Sequence, residues 1–195
     1  MATVPVGLTR DLPPKRVMRA TVNGQDLVVW RATNGAIAAW DNRCPHRGMA
    51  LSHGFVRGNS LACLYHGWHY GCSGTCSYIP AHPELTPPAT IKAEVFSVQE
   101  SDGVIWVNTD GVADPSPLPI PTRALRSFHI EAVQDQINDS CASMAFAGTQ
   151  PQPLGDGVYK LGERQVIVLQ NPLDAECTQA IVLIDADATP GDCAA

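Results

Sequence analysis

No uninterrupted apolar stretch in these 195 residues reaches membrane-spanning length, so neither a transmembrane helix nor a membrane partner is expected. The opening Met1-Ala-Thr-Val-Pro-Val-Gly7 carries neither the basic start nor the apolar core of a secretory signal. Basic runs are missing too, and the net charge is −6, with 13 Lys and Arg against 19 Asp and Glu, which argues against a nucleic-acid partner. There is no internal repeat, no glycine-rich nucleotide-binding motif and no second, four-cysteine cluster pattern. After residue 110 the only histidine is His129. The seven cysteines are odd in number, which fits a reducing, cytoplasmic setting better than a disulfide scaffold. Hydrophobic content of 45% with 16% charged residues is ordinary for a globular protein, and the length allows one or two small domains.

Against these absences stands a split pair of mixed ligand motifs. Cys44-Pro-His46 is followed, after sixteen intervening residues, by Cys63-Leu-Tyr-His66. Two thiolates and two imidazoles so placed are what a Rieske 2Fe–2S centre takes, one iron held by sulfur and the other by nitrogen. A structural zinc site is the alternative. Zinc fingers usually keep Cys with Cys and His with His, whereas each half here is one Cys plus one His, able to give one ligand to each iron. The spacing therefore favours the cluster, with Cys44, His46, Cys63 and His66 as its metal-binding residues and no catalytic residue of the chain's own.

The flanking residues carry a family resemblance over about the first hundred positions. Cys44-Pro-His-Arg-Gly48 and Cys63-Leu-Tyr-His-Gly-Trp68 resemble the two cluster loops of bacterial Rieske non-heme iron oxygenase systems, as do Leu51-Ser-His-Gly54, Gly58-Asn-Ser-Leu61 and Cys76-Ser-Tyr-Ile-Pro80. The likeness implies that Cys44 and Cys63 bind one iron while His46 and His66 bind the other through ring nitrogens. Trp68 reads as a shield of the cluster or equally as ordinary packing, and Arg47 as a loop support or equally as a solvated charge. Gly48 and Gly67 stand where the backbone must turn sharply. Rieske proteins of respiratory complexes carry an extra Cys in each loop and a hydroxyl donor after His-Gly; the corresponding residues here are Met49, Tyr65 and Trp68. Hydrogen bonds to cluster sulfur favour the reduced state, so a lost donor predicts a potential nearer the low end, about −150 mV, than about +300 mV.

A narrower likeness, to the N-terminal Rieske segment of the reductase of bacterial methylxanthine (caffeine) N-demethylase systems, runs from residue 14 to about 185 and is weak after 122. Asn42-Arg-Cys-Pro-His-Arg-Gly48, Tyr65-His-Gly-Trp68, Ile79-Pro-Ala-His82 and Gly103-Val-Ile-Trp106 carry it. In that family the domain feeds electrons to an oxygenase component, and flavin and plant-type ferredoxin modules follow in the same chain; no motif of either is found within these 195 residues. The partners so implied are an oxygenase component and an NAD(P)H-dependent reductase.

The fold expected is mainly β: an antiparallel Rieske-type β-sandwich with a cluster-binding subdomain over 1–112, a Pro-rich linker over 113–121, and a small α+β region over 122–195 resembling a reduced oxygenase domain. Val17–Val22 and Asp26–Trp30 flank Asn23-Gly24, and Phe96–Val98 and Val104–Val107 flank Asp102-Gly103; both dipeptides signal a tight hairpin. Asn34-Gly35 leads into Ile37–Trp40, and Leu61-Ala62 and Trp68–Tyr70 bracket the second loop. Asp114-Pro-Ser-Pro-Leu-Pro-Ile-Pro121 blocks helix and central strand alike. Beyond it the pattern predicts a helix over 137–147, strands over 158–169 and 179–184 joined through Asn171-Pro172, and a loose tail from Asp185.

One histidine after residue 110 is too few for the two His and a carboxylate of a mononuclear iron site, so the chain reads as a one-electron carrier. A split or degenerate oxygenase subunit and a redox-sensing module are the alternatives. The remaining candidates have simpler readings: Cys72 and Cys76 as free or packed thiols, His53 and His69 as surface or supporting groups, His82 as a loop residue and His129 as a structural one. Cys141 and Cys177 read as small apolar fillers, Cys193 as exposed, and Asp135 and Asp139 as a solvated helix face.

Overall fold

A computed structural model of the chain describes residues 3–189 apart from 144, 146, 147 and 156. The described residues form three antiparallel sheets and one α-helix. The first sheet is assembled from β1 (Val4–Leu8), β2 (Val17–Val22), β3 (Gln25–Arg31) and β4 (Ile37–Asp41). The chain then leaves for a small sheet of β5 (Phe55–Arg57), β6 (Ser60–Ala62), β7 (His69–Gly71) and β8 (Cys76–Tyr78). It returns as β9 (Val95–Ser101) and β10 (Val104–Asn108), giving the first sheet the order β1-β10-β9-β4-β3-β2. The strands of departure and return lie side by side, Trp40 opposite Val95, and the Asp41 N–H donates to Glu94 O at 3.0 Å. Both ends of the excursion are thus anchored on one rigid sheet.

Two turns form because their residues accept positive φ. Asn23 and Gly24 have φ of 51° and 78°, and Asp102 and Gly103 have 55° and 76°, as a type I′ hairpin requires. In β3 the run Leu27–Arg31 is buried throughout rather than alternating, because both faces of the sheet are covered. Leu27 and Val29 pack with Ala39, Phe96 and Ile105 on one face. Val28, Trp30 and Trp40 face the small sheet, where they meet Cys44, Leu51, Leu61, Cys63 and Tyr70. The two indoles cross edge to face with centroids 5.1 Å apart.

The third sheet contains β11 (Thr122–Ile130), β12 (Gln152–Gly155), β13 (Val158–Leu161), β14 (Arg164–Pro172) and β15 (Thr178–Asp185), in the order β11-β15-β14-β13-β12, with helix α1 (Gln134–Ser143) after β11. Several expectations are corrected here. Residues 158–169 are two strands, because Gly162 at φ 62° turns the chain back and pairs Leu161 with Arg164. Asn171-Pro172 lies within β14; the reversal comes later, where Leu173 N–H donates to Cys177 O and Asp174 Oδ1 accepts from the amides of Glu176 and Cys177. The helix begins at Gln134, and 144, 146 and 147 of its expected end lie outside the described residues, as does the tail beyond 189 with Cys193.

The first and third sheets share a core. Leu8, Val104 and Trp106 pack with Val158, Ile167, Ile181 and Leu183, and Leu118 and Ile120 of the Pro-rich segment pack against them. Asn171 Nδ2 donates to Thr21 O at 2.9 Å, and Gln179 Nε2 to Val6 O at 3.3 Å.

A largely buried ion pair links β3 to β9 across the intervening β4. Arg31 reaches both Glu100 oxygens at 2.8 and 2.5 Å, and also donates to Leu12 O and Gly35 O. The hydrogen bond from Arg31 holds the Glu100 carboxyl below its ordinary range. The pair's stabilisation is therefore present above the unfolded carboxylate pKa and lost as pH falls through the depressed one. Glu100→Ala leaves a buried guanidinium unpaired and is expected to cost about 3 kcal/mol, read as a lower midpoint in urea; an unchanged midpoint would remove the pair from the list of stabilising contacts.

Candidate metal centre

The two expected ligand loops are twin turns. Gly48 N–H donates to Cys44 O at 2.8 Å, and Cys44 N–H to Met49 O at 2.8 Å. In the second loop Gly67 N–H donates to Cys63 O at 3.0 Å, and Cys63 N–H to Trp68 O at 2.9 Å. Each Cys thus opens a closed loop whose fifth residue is a glycine at positive φ, 71° for Gly48 and 68° for Gly67. A side chain there would be strained, which is why both positions are glycine. The histidines enter these matching frames at different places, His46 two residues after its Cys and His66 three after, yet their ring centroids come within 4.7 Å.

Sulfur and nitrogen donors are segregated. Cys44 and Cys63 are buried in the core between the sheets, while His46 is half-buried and His66 exposed. Burial, foremost, pushes the Cys63 thiol up, with the Cys44 thiol beside it adding to the shift. Iron binding would therefore have to displace a tightly held proton, and ligation and deprotonation are coupled. His46 is pulled down, first by desolvation and then by His66 and Arg47, which favours the neutral ring that a metal needs. Trp68 stacks on His46 at 4.0 Å between centroids and 7° between planes, covering one face of the ring.

The donor chemistry suits a two-iron centre. Among the described residues no three Cys, His, Asp or Glu side chains are grouped as ligands of a single ion. The four donors form one pair of thiols and one pair of imidazoles, a division that fits two irons better than one zinc.

A residue passed over in the motif supplies a hydroxyl after all. Tyr70, on β7 and fully buried, places its Oη 3.2 Å from Cys44 Sγ. Burial first, and then the neighbouring thiols, push its phenol upward, so it stays a proton donor. The expectation of a potential lowered by a lost donor at Trp68 is thereby tempered, because Tyr70 offers a hydroxyl from the strand behind. Tyr70→Phe is expected to lower the reduction potential by about 40 mV, since a hydrogen bond stronger by about 1 kcal/mol in the reduced state corresponds to that shift for one electron. Protein-film voltammetry measures it; an unchanged potential would show that the bond does not favour the reduced state.

Arg43 entered the sequence reading only as part of Asn42-Arg-Cys-Pro-His-Arg-Gly48, with no role of its own. Its guanidinium lies against Gly48, where an added Cβ would come 3.5 Å from Nη2. Arg47, expected as a support, is exposed and acts on His46 through its charge. The other candidates fall away from the donors or behind them. His69 packs its ring 5.2 Å from Tyr78, while His53 and His82 are exposed. Cys76 is buried in the core beside Cys44, Cys72 lies half-buried with its carbonyl accepting from Trp40 Nε1 at 3.3 Å, and both are free. His129 on β11 is exposed rather than packed, and Asp135 and Asp139 form an exposed helix face. No helix among the described residues is long and apolar enough to cross a membrane.

Residues 2–106 match the family model of the Rieske [2Fe-2S] domain. Oxidoreductase NdmD of Pseudomonas putida is 43% identical over 117 residues, which is 60% of this chain and 20% of that one. Methylxanthine N1-demethylase NdmA of the same species is 39% identical over 95 residues, covering 49% and 27%. The 4beta-methylsterol monooxygenase of Methylococcus capsulatus is 39% identical over 114 residues, covering 55% and 30%. The chain thus spans less than a third of the length of these relatives. Among solved structures, NdmA of Pseudomonas putida CBB5 superposes with a TM-score of 0.74 at 20% identity, covering 97% of this chain and 75% of that one. Apo dicamba monooxygenase superposes at 0.73 and 18% identity, covering 94% and 75%. At such identities the superpositions show a shared fold, and they show it for the third sheet as well as the first two.

Proposed function

Because the chain belongs to the Rieske [2Fe-2S] domain family, whose cofactor is a Rieske-type 2Fe–2S cluster, we propose that it is a one-electron carrier. It would take electrons from an NAD(P)H-dependent reductase and pass them to a mononuclear non-heme iron oxygenase. Cys44, Cys63, His46 and His66 would hold the cluster, which when bound supplies a one-electron redox centre. The carrying observation is the segregation of the donors, with thiols in the core and imidazoles at the surface. Sulfur is shielded from water by Trp40, Leu51, Leu61 and Tyr70, while the outer edge of the exposed His66 is left for an acceptor. The outer ring nitrogens can donate to a carboxylate on that acceptor, which orients the rings and couples proton to electron. A cytoplasmic site of action fits the six described cysteines, all of them free.

The test is anaerobic. The protein is reduced through an NAD(P)H-dependent flavin reductase, then mixed with oxidised methylxanthine N1-demethylase NdmA as a probe oxygenase. Loss of the reduced spectrum with one electron transferred per chain is expected, whereas no transfer, with no faster turnover of the oxygenase, would count against the carrier reading. A second reading, an oxygenase subunit completed by a partner, is favoured by the superposition of the third sheet on oxygenase chains. It requires a third iron.

A further inference from the structure

Charge is distributed very unevenly along this chain. Residues 42–83, which include both ligand loops and the whole small sheet, hold three arginines and no Asp or Glu. The stretch from 84 to 195 holds sixteen acids against five bases, so the net charge of −6 conceals a cationic end on an acidic body. All three arginines are exposed, and none is in an ion pair; the pairs among the described residues use Arg10, Arg19, Arg31 and Arg164. Arg43 lies against Gly48 of the first loop, and Arg47 follows His46. Arg57 lies on β5 with its guanidinium 4.8 Å from the centre of the Phe55 ring. Within the second loop, Leu64 and Tyr65 are 54% and 59% exposed beside His66. Exposed apolar groups in one ligand loop, with guanidinium groups free of ion pairs in the other loop and on β5, suit a docking site with a dry centre and a charged rim.

We propose that the end bearing Arg43, Arg47 and Arg57 around Leu64, Tyr65 and His66 is the docking face for a redox protein whose own contact surface is acidic. The inference rests on the carrier reading and names the chemistry of its partner. At physiological salt an exposed charge is felt over only about 8 Å, so a partner at the loops meets the arginines and Asp41, whose Oδ1 accepts from the Arg43 amide at 2.7 Å, before the acids of the body. Farther out, the acidic body repels the same partner from the wrong end, so charge sets orientation as well as affinity.

The experiment uses the reduced holoprotein and two one-electron oxidants of opposite charge. Hexacyanoferrate(III) and hexaamminecobalt(III) each take one electron from the protein and leave as the iron(II) and cobalt(II) complexes. Oxidation by the anion is expected to slow roughly tenfold between low and physiological salt, while oxidation by the cation slows little or speeds up. Poly-L-glutamate is expected to protect the protein from the anion, and poly-L-lysine is not. Arg57→Glu, outside both ligand loops, should reduce the salt slope with the visible spectrum and potential retained, and adding Arg47→Glu should flatten or invert it. If the anion instead speeds up with salt, as a body of charge −6 demands, or the slope ignores these substitutions, the docking face is overturned and the carrier reading stands. If neither reagent oxidises the protein, the carrier reading fails and takes the docking face with it.

Discussion

His66→Ala is expected to abolish the Rieske absorption and EPR signals and to bring iron content from two per chain to nearly none. The proposed ligand set gives each iron two protein donors, and removing one leaves an iron that the chain no longer holds against solvent. His66 is exposed and contributes little to the core, so circular dichroism should still report the β fold. Cys63→Ser, by contrast, alters a buried residue and is expected to lose both the cluster and some stability. Retention of the full spectrum in His66→Ala would contradict the ligand assignment directly.

Ending the chain after residue 112 is expected to destabilise the remainder by about 5 kcal/mol, comparable with the whole stability of a small domain. The reason is the shared core. Without the third sheet, Leu8, Val104 and Trp106 lose the cover of Val158, Ile167, Ile181 and Leu183, and each uncovered side chain forfeits ~1.5–3 kcal/mol. The hydrogen bonds from Asn171 to Thr21 and from Gln179 to Val6 go as well. Chemical denaturation of the shortened chain, with cluster absorbance as a second probe, measures the loss. A truncated chain as stable as the full one would show that the third sheet adds no support to the first.

The candidate quartet of Cys44, His46, Cys63 and His66 stands out in the sequence because metal chemistry permits few residue types and holds them at short spacings. The hairpins at Asn23-Gly24 and Asp102-Gly103 were legible for a similar reason, since few residues other than Gly, Asn and Asp accept those dihedrals. Tyr70 escaped because its role depends on which face of a three-residue strand points at Cys44, which no local pattern fixes. Strand β1 was missed because Pro5 and Gly7 read as loop residues, and the pairing with β10 does shift register between them. The hairpin between β13 and β14 went unseen because Gly162-Glu163 lacks the Asn or Asp that usually precedes the turn glycine. Docking of the third sheet on the first rests on contacts more than fifty residues apart in sequence, such as Trp106 with Val158, and periodicity carries no trace of them.

The most direct test of the central claim is the iron and acid-labile sulfide content of the purified protein, with EPR after reduction. Two irons and two sulfides per chain, taking up one electron, is the result expected of a Rieske carrier. A third iron would move the protein among the oxygenase subunits, and zinc without sulfide would contradict the cluster altogether.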